Sequence, residues 1–125
     1  MCGIVAYNGV LSAVDFLIDG ISQLEYRGYD SVGIALQNNN ESKVLKEVGR
    51  VKDLLLTYPE INKESHTMGL AHTRWATHGE PSVINAHPHT SGKVTLVHNG
   101  IIDNYKEISE RYLLDGGQSL QSETD

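Results

Sequence analysis

Cys2 follows Met1 directly and is the only cysteine in the chain. Cysteine is a small second residue, so removal of the initiator is expected. Cys2 would then carry a thiol and a free α-amine together. A thiol becomes a nucleophile when a base takes its proton. An ordinary thiol has a pKa of about 8.5 and an α-amine about 7.7–8.0. Near neutrality the amine is partly free base, and it sits on the same residue as the thiol. The plainer reading of position 2 is a small, processed terminus.

A second group, His98-Asn99-Gly100, closes an apolar run. Acyl transfer needs donors aimed at a developing oxyanion. An Asn side-chain amide and a Gly backbone N–H can supply two, although Asn-Gly is also a common turn dipeptide. A third group runs from Ala71 to Pro81 and holds His72, Thr73, Arg74, Trp75, Thr77 and His78. The planar fork of Arg74 suits a carboxylate, and Thr and His add hydrogen bonds. A small substrate bearing a carboxylate could be held there; the alternative is a strand running into a polar surface loop.

Five of the six histidines are His72, His78, His87, His89 and His98. None forms an H-x-x-x-H pair, and the close pair His87-Pro88-His89 has no cysteine to join it, so no metal is expected. Gly28, Gly33, Gly49 and Gly69 do not make a phosphate cradle, and no cofactor is expected.

The elements that must position these groups follow from periodicity. Residues 2–7 form an apolar run ended by Asn8-Gly9, which predicts a buried strand. Val14, Leu17, Ile18, Ile21 and Leu24 make one helical stripe, with Ser12 and Asp15 placed as a capping pair. Alternation over 31–37 and again over 43–48, broken at Asn38-Asn39-Asn40, predicts a hairpin. Val51, Leu54, Leu55 and Tyr58 predict a short helix stopped by Pro59. Residues 67–73 read as a strand, 79–92 as a loop and 94–98 as a strand. A last helix is expected from Asn104, carrying Tyr105, Ile108 and Tyr112 inward and ending at Gly116-Gly117. Strands outnumber helices and include a hairpin, so a layered α+β fold is expected rather than a doubly wound parallel sheet.

The chain has 125 residues, 39% hydrophobic and 21% charged, enough for one modest folded domain. Its net charge is −6 and it has no Lys/Arg cluster, which argues against nucleic-acid or anionic-membrane partners. No apolar run is long enough to span a bilayer, and no secretory signal opens the chain. A single cysteine excludes an internal disulfide framework and suggests a reducing, cytoplasmic compartment.

Five segments follow one another in a recognisable order. They are Met1-Cys2-Gly3-Ile4-Val5, Leu24 to Ser31 (with Glu25-Tyr26-Arg27-Gly28-Tyr29-Asp30), His72 to Ser82, Asn85-Ala86-His87-Pro88-His89, and Val97 to Ile102. This set resembles the class II glutamine amidotransferases, whose mature proteins begin with the catalytic cysteine. The resemblance runs along the whole chain. It implies an N-terminal-nucleophile hydrolase fold, a four-layer αββα sandwich, of which residues 1–125 supply about the first half. It implies hydrolysis of glutamine to glutamate and ammonia. Cys2 would be the nucleophile with its own α-amine as base, and Asn99 and Gly100 the oxyanion hole. Arg74 would bind the glutamine α-carboxylate, with Thr77 and His78 in the same pocket and Trp75 shaping it. Arg27 would lie near the nucleophile, and Asp125 would pair with the glutamine α-amino group. The Glu-Tyr-Arg-Gly-Tyr-Asp and Arg-Trp-Ala-Thr-His variants resemble those of members that pass the ammonia to fructose 6-phosphate. That acceptor would bind in a further, absent domain, in a homodimeric full-length protein. Amidophosphoribosyltransferase chemistry and an inactive truncated fragment are the alternatives.

Overall fold

A computed structural model describes residues 1–38, 41–116 and 119–124. Its centre is a four-stranded antiparallel sheet of β1 (Gly3–Asn8), β2 (Ser31–Gln37), β3 (Ser42–Val48) and β4 (Met68–Arg74), in the order β1-β4-β2-β3. The last strand to form in sequence is thus inserted between the first two. Gly3 pairs with Thr73 on one side of β4, and Ser31 pairs with Arg74 on the other.

One face of the sheet carries the helices α1 (Ala13–Gln23) and α2 (Val51–Thr57). The stripe Val14, Leu17 and Ile21 packs with Val32, Ile34, Leu36, Leu54, Ile61 and Ala71 as the buried core. Ser12 caps α1, its Oγ accepting from the Val14 N–H at 3.4 Å. Pro59 ends α2 as expected and opens a short 3₁₀ turn over Pro59–Lys63.

The opposite face carries His72 and Arg74 of β4, Gly33 and Ala35 of β2, and Ala6 of β1. A groove of about 360 Å³ crosses it, lined by Ala6, Ala35, Leu70 and Thr95 among others. The loop through His87 and Pro88 lies directly on this face at Gly33. A Cβ built on Gly33 would sit 2.0 Å from the His87 carbonyl oxygen, so only glycine lets the loop seat there. Gly33→Ala is expected to lift the loop off the sheet and destabilise the protein by about 1–3 kcal/mol. A thermal melt that is unchanged would contradict this.

Two sequence expectations need correction. The stretch 79–92 is not all loop: His89–Ser91 forms β5, paired antiparallel with β6 (Val94–Leu96). Three residues are too few for alternation to be read. The final helix α3 (Tyr105–Leu114) exists, but it buries nothing. Tyr105, Ile108 and Tyr112 are 48%, 50% and 48% exposed, so its apolar stripe does not face the core. The expected break at Asn39-Asn40 and the expected helix stop at Gly117 lie outside the described residues.

Candidate active site

The sheet register builds the site. Because Gly3 pairs with Thr73, Cys2 emerges from β1 beside the end of β4, where Arg74 gives way to Trp75. The Trp75 backbone N–H donates to Cys2 Sγ at 3.3 Å. Cys2 is half-buried, and Met1 before it is 78% exposed.

The segment before β2 secures this corner from below. Gly28 packs backbone to backbone on Arg74 and Trp75, where an added Cβ would meet the Arg74 carbonyl carbon at 2.7 Å. Asp30 accepts from the Ala76 N–H through its carboxylate, and its own N–H donates to the Arg74 carbonyl at 3.2 Å. The Tyr-Arg-Gly-Tyr-Asp stretch is therefore a brace for the β4 terminus. Tyr29 meets the Trp75 ring edge-on at 5.7 Å and takes the Arg50 guanidinium on its face at 5.0 Å. Arg27 reaches the terminus, its Nη2 lying 3.7 Å from Met1 Sδ.

Arg74 is buried and donates to three main-chain carbonyls, those of His78, Gly79 (2.9 Å) and Glu80 (3.3 Å). Its fork thus holds the turn after β4. Asn85 continues the clamp. It donates to the Glu80 carbonyl at 3.1 Å and exchanges bonds with Glu123, whose N–H reaches Asn85 Oδ1 at 3.0 Å. This brings the segment through Thr124 to the site, where Thr124 Oγ1 lies 2.9 Å from His89 Nε2. Asp125 lies outside the described residues.

Asn99 approaches from the segment after β6. Its Nδ2 donates to the Cys2 carbonyl oxygen at 3.1 Å, and its Oδ1 lies 2.8 Å from His72 Nε2. Cys2, Arg74, Trp75, Thr77, His78 and Gly100 line one small cavity of about 50 Å³, together with His72, His87, His98 and Thr124. Of the residues singled out from sequence, Cys2, Arg74, Trp75, Thr77, His78 and Gly100 meet at this cavity; Asn99 joins it through its bond to the Cys2 carbonyl, and Arg27 stands beside the terminus instead. The sequence reading missed His72 as a partner of Asn99, and it missed the bracing by Asp30 and Asn85. Among the described residues no group of acidic, His or Cys side chains could hold a metal ion.

Three imidazoles stack beneath Asn99. His72 and His87 lie face to face at 4.5 Å, and His89 meets His87 edge-on at 4.4 Å. The His98 N–H donates to His87 Nδ1 at 3.2 Å. Burial, reinforced by its neighbouring histidines and Arg74, pushes His87 down to about 3. Burial, with Lys46 nearby, pushes His89 down to about 4. An unfolded chain binds protons at these positions below about pH 6.5, whereas the folded one does not until pH 4 or 3. Stability is therefore lost as pH falls from about 6.5, by as much as about 2 kcal/mol per ring at pH 5. In the full-length protein the urea midpoint at pH 5 is expected below that at pH 7.5, a window that precedes most carboxylate titration. Equal midpoints would contradict the neutral stack.

The fold matches that of two solved chains, each much longer than this one. The solved glutamine phosphoribosylpyrophosphate amidotransferase from Bacillus subtilis superposes with a TM-score of 0.82 over 100% of this chain and 27% of that one, at 22% identity. A structure described as the allosteric regulatory enzyme of purine biosynthesis gives 0.81 over 98% of this chain and 27% of that one, also at 22% identity. In sequence the chain is similar to the N-terminal part of curated glutamine–fructose-6-phosphate aminotransferases (isomerizing). It is 53% identical along 100% of its length to that protein from Bacillus licheniformis and from Bacillus subtilis, and 50% identical to that from Staphylococcus epidermidis. It spans 20–21% of the length of these curated relatives. No family model matches the chain. Among the described residues, no helix is long and apolar enough to cross a membrane.

Proposed function

We propose that these residues form the ammonia-releasing site of a glutamine-dependent aminotransferase acting on fructose 6-phosphate. The observation that carries this reading is the meeting of Cys2 and Asn99, 97 residues apart, through the 3.1 Å bond from Asn99 Nδ2 to the Cys2 carbonyl. Once Met1 is removed, the Cys2 α-amine takes the thiol proton. The sulfur attacks the side-chain amide carbon of glutamine, and the carbonyl oxygen becomes an oxyanion. Asn99 Nδ2 and the Gly100 N–H receive that charge, the former exchanging the Cys2 carbonyl for the oxyanion. The α-ammonium returns its proton to the leaving nitrogen, the C–N bond breaks, and ammonia departs from a thioester. Water then attacks the thioester, releasing glutamate and restoring the thiol.

Glutamine is a zwitterion, and both charges need partners once water is displaced. Arg74, with Thr77 and His78, is assigned to the carboxylate, and Asp125 to the ammonium. Because the Arg74 fork is engaged by the 78–80 carbonyls, carboxylate binding requires that turn to re-form around the ligand. Trp75 walls the pocket beside the thiol. On this reading residues 1–125 are about the first half of the glutaminase domain, and the rest of the relatives' length supplies the remainder of that domain and then the part that handles the sugar phosphate. The 53% identity to these aminotransferases, against 22% to the phosphoribosyl enzymes, favours fructose 6-phosphate as acceptor.

The test is a product balance on the full-length protein. With glutamine and fructose 6-phosphate, glutamate and an aminated hexose phosphate should form in equal amounts. Glutamate release with no aminated sugar would reject the acceptor, and no glutamate at all would reject the site.

A further inference from the structure

The Cys2 carbonyl oxygen can only accept a hydrogen bond. The Asn99 atom facing it at 3.1 Å is therefore the NH₂, and the amide oxygen must point the other way, to His72 Nε2 at 2.8 Å. Oδ1 also only accepts, so Nε2 of His72 carries the proton. His72 Nδ1 is buried with no hydrogen-bond partner, consistent with a bare lone pair there. Burial holds the ring below its usual pKa, against the opposing pull of the Asn99 contact and of the His98 backbone.

Nothing about this ring is free to rearrange. His72 lies mid-strand in β4, paired with Ile4 and with Gly33, and is 1% exposed. Its face is covered by His87, whose position is fixed in turn by the His98 N–H. The two residues preceding Gly100 are thus held from one stack, His98 through its backbone by His87 and Asn99 through its side chain by His72.

An oxyanion, like the Cys2 carbonyl, can only accept. The terminal amide torsion of Asn is broad and roughly two-fold, so both orientations of Asn99 are sterically accessible. The flipped one would aim Oδ1 at the developing negative charge. We propose that His72 is the positioning residue for the oxyanion hole: its Nε2–H binds Asn99 Oδ1 and so presets Nδ2 toward Cys2 and the reacting carbonyl. This rests on the reading of Asn99 as an oxyanion donor.

The test uses the full-length protein and three variants at one position. Glutamine can place its NH₂ where imidazole Nε2–H stands; asparagine is as polar but one methylene shorter; leucine cannot donate. For glutamine hydrolysis, His72→Leu and His72→Asn should each lower kcat by about 10–100-fold, less than loss of a donor itself costs, with KM changed less than about 3-fold. His72→Gln should recover most of kcat. In an Asn99→Ala background, His72→Leu should add less than about 2-fold, because the residue it positions is gone. Equal kcat for the Gln and Asn variants, or full additivity with Asn99→Ala, would overturn the proposal. If Asn99→Ala alone leaves kcat unchanged while Cys2→Ala abolishes activity, the oxyanion reading fails and His72 with it. If Cys2→Ala has no effect, the error lies in the site as a whole.

Discussion

Full-length protein carrying Cys2→Ala will release no glutamate from glutamine above about 10⁻⁴ of the unsubstituted rate. Removing a catalytic nucleophile eliminates the covalent route altogether, and in enzymes that use one the loss is on the order of 10⁴–10⁶. No other group in the cavity can take over. Its remaining lining consists of two threonine hydroxyls, four imidazoles, the Arg74 guanidinium, the Trp75 indole and Gly100, and Cys2 is the only thiol in the sequence. Binding of glutamine should survive, since the side chain lost is not one assigned to either of its charges. Retention of Met1 should be as damaging as the substitution, for a different reason. The nitrogen of Cys2 would remain a peptide N–H, which is no base, while the thiol stayed in place against the Trp75 N–H. Met1 is exposed and open to removal, so processed and unprocessed forms can be compared directly. Undiminished glutamate release from Cys2→Ala would remove the basis for the assignment.

Asn99→Ala should lower kcat by about 10²–10³, equivalent to about 3–4 kcal/mol of transition-state stabilisation. In the proposed reaction the deleted amide meets the substrate oxygen as charge develops on it, so KM should move little. Its contribution depends on direction as much as on presence. Asn99→Asp keeps the shape and the acceptor toward His72, but turns a second oxygen toward the Cys2 carbonyl and the oxyanion. It should therefore be at least as impaired as alanine. An Asp variant with near-normal kcat would show that Asn99 acts by shape and not by donation.

The sheet and its helices were legible because periodicity reports burial. The stripe Val14, Leu17 and Ile21 and the alternation in β2 each name a face, and the core uses those faces. The same logic misled at α3. Tyr105, Ile108 and Tyr112 share a helical face, yet periodicity shows only that a face is apolar, not what meets it. The tiny strand β5 was invisible for the opposite reason, having too few residues to carry a period.

At the site, residue chemistry was readable and partnership was not. Cys2, Arg74 and Asn99 stand out by type and local setting. Their convergence depends on β4 entering between β1 and β2, a crossover that no local pattern encodes. The spacing of His72 and His87 shows no metal-ligand pattern, and nothing local to them indicates that the His72 ring meets Asn99. The usable signal was the alternation in β4, which puts His72 and Arg74 on one face, so that whatever lies over Arg74 also lies near His72. Gly28 and Gly33 are legible only after the fact, since a missing side chain gives no sign of which backbone fills its space.

The most direct measurement is mass spectrometry of the folded full-length protein, Met1 removed, after exposure to an electrophile that mimics glutamine. A single adduct on the sulfur of Cys2 is expected, prevented by excess glutamine and absent when Met1 is retained. Protein that turns over glutamine yet carries its adduct on another residue, or none at all, would contradict the account.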